Sequence, residues 1–179
     1  MAHLEQQQFL FSIKEKFPER FQHCDVLDIG SLDINGNNRY LFSDYTYVGL
    51  DIGEGRNVDV VCRGHEYKTD KQFDIVVSTE CFEHDEFWNL TIENAIKLTK
   101  TDGLCLFTCA TTGRPEHGTK KTSPYDSPFT SQIENDYYKN LTETDIRSKI
   151  DIELHFSNFE FKSNTLNFPQ DLYFWGFKK

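Results

Sequence analysis

The sequence lacks any long apolar run, which excludes one class of protein. No stretch approaches the roughly 20 consecutive apolar residues that a membrane-spanning helix needs. Residues 1–16 carry charges and a run of glutamines, which is unlike a secretory signal. We therefore expect a cytoplasmic protein that has no membrane as a partner.

The sequence also lacks Cys-x-x-Cys pairs and an excess of positive charge. Most of its five cysteines lie in or beside apolar runs, where a reduced cysteine acts as a small hydrophobe; they are Cys24, Cys62, Cys81, Cys105 and Cys109. Reduced thiols fit a cytoplasmic setting. The formal net charge is -10, so the chain attracts no polyanion at long range. We expect no nucleic-acid partner, and the oligomeric state stays open.

The sequence is long enough, and has enough aromatic side chains, to form one hydrophobic core. At 179 residues with 15% aromatic side chains, it is the size of one compact domain and far from the composition of disordered chains. No repeat or linker divides it. We therefore expect a single domain over residues 1–179.

Short apolar runs alternate with helical patterns through the first 110 residues. Helical spacing predicts helices over 4–17, 38–42 and 86–100, with Asp102-Gly103 ending the last. Apolar runs predict buried strands over 24–29, 45–50, 58–62, 73–77 and 104–110.

The rest of the chain predicts a loop, a helix and two strands. Residues 111–132 are rich in Thr, Ser, Pro and Gly and form a candidate lid. Thr142-x-x-Asp145 indicates a capped helix to Lys149, and 152–161 and 172–178 read as strands. The predicted fold is α/β: a doubly wound, Rossmann-like, mostly parallel sheet with helices on both faces and an antiparallel C-terminal edge hairpin.

Two aspartates at strand ends indicate a nucleoside site. Asp28-x-Gly30 ends the first strand, where ligands approach the backbone of such sheets. Asp51 ends the second strand about twenty residues later, where a carboxylate can bind the two hydroxyls of a ribose. An aspartate after an apolar run is more often a cap, but the pair at this spacing favours nucleoside binding.

With these residues, the chain resembles the class I methyltransferases from about Leu4 to Lys179. Asp28-x-Gly30 looks like the glycine-rich first motif and Asp51 like the ribose acid. The segment 78–84, Ser-Thr-Glu-Cys-Phe-Glu-His, is similar to the "EH" segment of the small-molecule branch. Residues 100–104 and 171–174 stand where that branch has a Gly-bearing turn and the start of the last strand.

The resemblance implies S-adenosylmethionine as cofactor and assigns residues to its site. They follow the first four strands: Asp28, Gly30, Ser31 and Asn35, then Asp51 and Ile52, then Gly64 and His65, and finally Thr79. Two positions depart from the family pattern. Leu32 replaces the second glycine, and Arg63 stands where an aspartate often meets the adenine, so we expect backbone contacts from Gly64 or His65 instead.

The resemblance also implies methyl transfer to a small-molecule or glycan acceptor, which we expect to be a hydroxyl. Such a reaction needs alignment and often a base. His117, helped by Glu116 and Arg114, is the first candidate, and His84 and Glu80 follow. His84 could equally shape the start of a helix, and His117 could be a solvated loop residue.

Other interpretations remain open. Glu80, Glu83 and His84 could bind a divalent metal, although we expect no metal, since such residues more often serve the cofactor or a cap. A nicotinamide-dependent oxidoreductase is an alternative, but GxGxxG and a second domain are missing. A cofactor-binding protein without catalysis and an aminopropyl transferase are the remaining alternatives.

Overall fold

The computed structural model describes residues 3–132 and 136–179. Its strands are β1 (Gln22–Ile29), β2 (Ser43–Asp51), β3 (Val60–Val61), β4 (Phe73–Thr79), β5 (Thr99–Ala110), β6 (Phe156–Asn164) and β7 (Asp171–Lys178). The α-helices are α1 (Leu4–Lys16), α2 (Trp88–Leu98), α3 (Glu143–Arg147) and α4 (Ile152–His155). Short 3-10 helices cover Pro18–Phe21, Asn38–Leu41, Gly64–Glu66, Phe82–His84, Pro124–Asp126 and Thr130–Gln132.

All seven strands join one sheet in the order β3-β2-β1-β4-β5-β7-β6. Strands β1 to β5 run parallel, while β7 is antiparallel to both β5 and β6. The predicted parallel sheet with an antiparallel edge hairpin is thus confirmed. Since β1 lies between β2 and β4, the carboxyl ends of these three strands meet at one edge of the sheet.

The strands are apolar on both faces because each face carries a helix. On one face, Leu10 and Ile13 of α1 belong to a buried cluster with Val26 and Ile75. On the opposite face of the sheet, α2 packs against the neighbouring strand residues and forms a second buried cluster with them. Consecutive residues of β1 and β4 therefore alternate between the two clusters, as strand geometry requires. No helix of the described residues has the length and apolarity to cross a membrane.

Several sequence-based boundaries are wrong. Residues 152–155 form α4 instead of the start of a strand, because the Asp151 side chain accepts a hydrogen bond from the Leu154 N–H and caps a helical turn. The helix predicted to reach Lys100 ends at Leu98, since Thr99 already pairs with Phe73 of β4. The run predicted over 58–62 pairs as a strand only over Val60–Val61.

The capping box of α3 is confirmed. The Thr142 hydroxyl accepts the Asp145 N–H at 3.1 Å, and the Asp145 carboxylate accepts the Thr142 N–H at 2.9 Å. Helix α3 itself ends at Arg147, earlier than predicted.

Candidate cofactor and active site

A cavity opens at the edge where the carboxyl ends of β1, β2 and β4 meet. The residues that line it come from the first turn of α1, from those strand ends and the segments that follow β1 to β4, and from the loop after β5. Among them are Gln6, Gln7, Asp28, Gly30, Ser31, Asn35, Asp51, Ile52, Gly64, Thr79, Glu80, His84, Asp85 and Asp126–Thr130. Most of the sequence-predicted site residues therefore line one space. His65 and His117 are not part of this lining.

Gly30 lets β1 approach the end of β4. Its φ is +78°, and an added Cβ would lie 2.5 Å from the Cβ of Cys81. Neither the backbone angle nor the space suits another residue. The following backbone is fixed to β2, because the N–H groups of Gly30 and Ser31 donate to the Leu50 carbonyl at 2.8 and 3.0 Å.

The turn after β1 is organised by the side chain of Asp33. Asp33 accepts hydrogen bonds from the Gly36 N–H at 2.8 Å and from the Asn37 amide at 2.7 Å. Gly36 has a φ of +127°, a conformation that glycine adopts readily. Asn35 and Gly36 both line the cavity. The turn therefore reaches the cavity through Asn35-Gly36, with a leucine at the position of the family's second glycine.

Asp28 presents a buried, unpaired carboxylate oxygen. Its Oδ2 accepts hydrogen bonds from the Tyr47 hydroxyl and from the Asn38 amide, whereas its Oδ1 has no partner among the described residues. Burial raises the pKa of Asp28 to about 6, against the opposing effect of these two donors. An oxygen in this state suits a donor from a bound ligand.

Asp51 is held in place by two backbone donors. Its Oδ1 accepts the Ile52 N–H at 2.7 Å, and its Oδ2 accepts the Leu32 N–H at 2.9 Å. Burial raises the pKa of Asp51, while these two hydrogen bonds lower it. Each carboxylate oxygen accepts more than one hydrogen bond, so both can still bind hydroxyl groups.

The segment after β3 reaches the cavity through Arg63 and Gly64. A Cβ at Gly64 would lie 2.4 Å from Cγ2 of Thr91, so glycine is needed for the packing of this segment on α2. The Gly64 carbonyl accepts the Asn94 amide at 2.7 Å. His65 instead packs its ring 4.5 Å from that of Phe87, away from the lining.

Glu80 belongs to a buried charged cluster that the sequence analysis missed. Its partners are His3 at 3.7 Å and Arg114 at 3.6 Å, and Asp171 lies 2.9 Å from His3 and 2.7 Å from Arg114. The Thr108 hydroxyl donates to Glu80 at 2.9 Å. Burial opposes the ionisation of Glu80, yet the nearby positive charges of His3 and Arg114 lower the pKa of Glu80 to about 2. A carboxylate held in this way is a weak base.

His84 and His117 meet beside this cluster. Their rings lie 5.1 Å apart at 89°, and the Tyr138 ring is 5.3 Å from His84 and 5.2 Å from His117. Burial lowers the pKa of His84 to about 3 and also lowers that of His117. Both imidazoles are therefore neutral at neutral pH. The expected helpers of His117 are occupied elsewhere, because Arg114 pairs with Asp171 and Glu116 accepts the Thr119 hydroxyl.

Glu83 is a fully buried carboxyl group beside the two histidines. Neither of its oxygens has a hydrogen-bond partner among the described residues. Burial, together with the negative charge of Glu80, raises the pKa of Glu83 to about 8. The sequence groups Glu83 with Glu80 and His84, but the structure groups it with His84 and His117.

The loop after β5, which the sequence predicts to be a lid, contributes to the lining of the cavity. Residues Asp126–Thr130 contribute to the lining. Phe129 lies against Gly53, where a Cβ would be 2.6 Å from the Phe129 ring. Residues 112–113 and 120–123 of the predicted lid are exposed and do not line the cavity.

Comparisons with known proteins identify the fold but no close relative. No protein-family model matches the sequence, and no curated protein is significantly similar to it. Among solved structures, a Burkholderia thailandensis 1,6-didemethyltoxoflavin-N1-methyltransferase with bound 1,6-didemethyltoxoflavin and S-adenosylhomocysteine is similar. Its TM-score is 0.66 and its identity 14%, over 97% of this chain and 77% of that one.

Two further structures give the same result. The N-methyltransferase NodS of Bradyrhizobium japonicum, in complex with S-adenosylhomocysteine, has a TM-score of 0.64 at 12% identity over 97% of this chain and 87% of that one. The magnesium protoporphyrin IX methyltransferase ChlM of Synechocystis, with the same ligand, has a TM-score of 0.61 at 12% identity over 100% of this chain and 89% of that one. The chain thus has the fold of the class I S-adenosylmethionine-dependent methyltransferases.

Proposed function

We propose that this chain transfers the methyl group of S-adenosylmethionine to a hydroxyl group of a small-molecule or glycan acceptor. The observation that carries the proposal is the position of Asp51. Its carboxylate is fixed by two backbone N–H groups and lines the same cavity as Gly30 and the unpaired oxygen of Asp28. The three solved structures described above contain S-adenosylhomocysteine, the demethylated product of S-adenosylmethionine, which supports this cofactor.

The residues of the chain fit the parts of this cofactor. Asp51 would bind the ribose hydroxyls, and Gly30 would let the backbone approach the ligand closely. The unpaired Oδ1 of Asp28 would accept a hydrogen bond from the amino group, and a positive charge there would favour the ionised carboxylate. When bound, the cofactor supplies an electrophilic methyl group on a sulfonium.

The other end of the cavity is suited to the acceptor. Thr79 ends β4 and Glu80 follows it, and β4 lies on the opposite side of β1 from β2 and its Asp51. His84 lines the cavity there, with His117 packed behind it. The neutral imidazole of His84, unlike the ion-paired Glu80, is the group that would contact the acceptor. Residues Asp126–Thr130 would exclude water above it.

Two measurements test this proposal. Calorimetric titration with S-adenosylmethionine and, separately, with a nicotinamide dinucleotide distinguishes a methyltransferase site from an oxidoreductase site. We expect saturable binding of the first and none of the second. A methyl-release assay over a panel of hydroxyl-, amine- and carboxyl-bearing metabolites and glycans then tests catalysis. Binding without turnover on any acceptor would favour a cofactor-binding protein, and turnover on amines alone would overturn the hydroxyl assignment.

A further inference from the structure

The carboxyl group of Glu83 is buried without a partner, which calls for a ligand. Its side chain has no exposed surface, and neither oxygen receives a hydrogen bond from the described residues. Burying a polar group without compensation costs several kcal/mol, and native proteins almost always supply a partner. Two unsatisfied oxygens on one buried side chain therefore indicate a group that binds there.

Two imidazoles face the same space. Nδ1 of His84 is buried and has no hydrogen-bond partner among the described residues. One ligand atom from each of Glu83, His84 and His117 lies within 4.8 Å of the other two. Metal–ligand bonds of about 2.0–2.1 Å place such atoms roughly 3.4 Å apart in a tetrahedral site. Side-chain rotations that move each atom by about 1 Å would close the site.

One ring nitrogen of His117 is engaged by oxygen atoms. Its Nδ1 lies 3.2 Å from the Pro115 carbonyl and 3.2 Å from the Tyr138 hydroxyl. A proton on Nδ1 would be donated to these oxygens, which leaves the lone pair of Nε2 free. Histidines that bind metals commonly fix the other ring nitrogen by a hydrogen bond to a carbonyl.

The loop is shaped to bring the histidines together. Gly118 has a φ of +64°, and a Cβ there would lie 2.6 Å from Cε1 of His84. Only glycine lets the backbone after His117 rest on the His84 ring. Both the absence of a side chain at Gly118 and its backbone conformation thus permit the contact between the two imidazoles.

We propose that Glu83, His84 and His117 bind one divalent transition-metal cation, of which Zn²⁺ is the best match. Two imidazoles and one carboxylate suit Zn²⁺ better than Mg²⁺ or Ca²⁺, which prefer oxygen ligands. Three protein ligands leave a coordination position open. Because His84 lines the cavity, that position can face an oxygen of the acceptor. This last step rests on the proposed function, whereas cation binding itself does not.

The proposal differs from the sequence-based expectations for the same residues. Glu80, the third member of the ligand set suggested by the sequence, is held by His3 and Arg114 and contacts the charged cluster instead. His117, expected to take a proton from the acceptor, becomes a ligand.

The test measures cation binding by the chelator-treated protein, without cofactor or acceptor. Zn²⁺ is titrated in competition with a chromogenic chelator, Co²⁺ is followed by its visible absorption, and Mg²⁺ is the comparison. We expect one equivalent of Zn²⁺ or Co²⁺ and at least tenfold weaker Mg²⁺ binding. Glu83→Gln and His117→Gln should each weaken Zn²⁺ binding at least tenfold. His155→Gln, at a half-exposed histidine outside the cluster, is the matched control and should bind as the wild type does.

Circular dichroism of the metal-free variants verifies folding, and His117→Gln changes a half-buried loop residue that the sheet does not need. The absence of a stoichiometric cation in the wild type would overturn the proposal. Equal affinities of all the variants would also overturn it, since the cation would then bind elsewhere, for example to thiols. Failure of methyl transfer with cation binding intact would instead count against the proposed function alone.

Discussion

The carboxylate of Asp51 accepts a hydrogen bond from the backbone N–H of Leu32 at 2.9 Å, so the acid that ends β2 holds the turn that follows β1. One side chain thereby shapes the cavity and presents oxygens to it. This double role makes Asp51 the most direct test of the cofactor site.

Asp51→Ala should weaken S-adenosylmethionine binding at least tenfold, which corresponds to about 1.4 kcal/mol. The variant loses the oxygens proposed to bind the ribose and also the hydrogen bond that fixes the turn. Calorimetric titration of the folded variant measures the effect. Asp59→Ala is the matched control, because Asp59 also accepts a backbone N–H, that of Gly49 at 2.8 Å, but does not line the cavity. Equal affinities of the two variants would remove Asp51 from the site.

Asp28→Asn should make stability less dependent on pH. Burial raises the pKa of Asp28 to about 6 from 3.8, so the folded state disfavours the ionised carboxylate. The protonated carboxyl group of Asp28 therefore adds to the free energy of unfolding below about pH 4, and this contribution is lost as the pH rises through 6. The variant does not ionise there. Between about pH 4 and neutral pH, the free energy of unfolding of the variant should therefore rise by up to about 3 kcal/mol relative to that of the wild type.

Urea unfolding of the cofactor-free proteins between about pH 4 and pH 7 measures this difference. Asp70→Asn, at an exposed aspartate, controls for the change of net charge. Parallel stability curves for the wild type and Asp28→Asn would show that Asp28 is not buried as described.

Gly118→Ala should destabilise the protein by more than Gly113→Ala does. Both glycines have positive φ, +64° and +97°, so both substitutions carry a backbone cost of about 1–2 kcal/mol. Only at position 118 does the new Cβ meet a ring, 2.6 Å from Cε1 of His84, whereas the nearest atom at position 113 is 3.3 Å away on the flexible Gln170. Thermal unfolding compares the two, and equal losses would mean that the loop does not rest on His84.

All five cysteines should react as free thiols in denaturant without reductant. None of them is paired in the structure, and Cys24, Cys105 and Cys109 are buried. Burial raises the pKa of Cys105 to about 12, so this thiol should not react in the native protein. Chromogenic thiol counting should return five groups after unfolding. A lower count in freshly prepared protein would contradict the prediction.

Sequence patterns locate the strand ends well and the contacts between distant segments poorly. Asp28, Gly30 and Asp51 could be placed because each directly follows or ends an apolar run, and parallel strands bring such ends to one edge. Residues 152–155 were misassigned because four residues carry too little periodicity to separate a helical turn from a strand. The signal in the sequence that indicates a helix there is Asp151, a residue type that commonly caps the start of a helix.

His3 and Gln6 were missed for a different reason. The apolar spacing of α1 shows which of its faces is buried, but not that its first turn reaches the cavity. Likewise, the order of Glu80, Glu83 and His84 along the chain indicates one cluster. Because β4 ends at Thr79, and Glu80 has a φ of +51°, Glu80 and Glu83 instead take part in different clusters.

The ion pair between His3 and Asp171 has a consequence for how the protein is made. It joins the residue that caps α1 to the first residue of β7, and Arg114 and Glu80 complete the same cluster. During synthesis the ribosome releases α1 long before β7, and domains generally fold as units. Until β7 inserts beside β5, the His3 and Arg114 side chains lack Asp171, the acid with which each makes its shorter contact. A nascent chain that stops before β7 would therefore hold the cofactor motif of β1 beside an incomplete charged cluster.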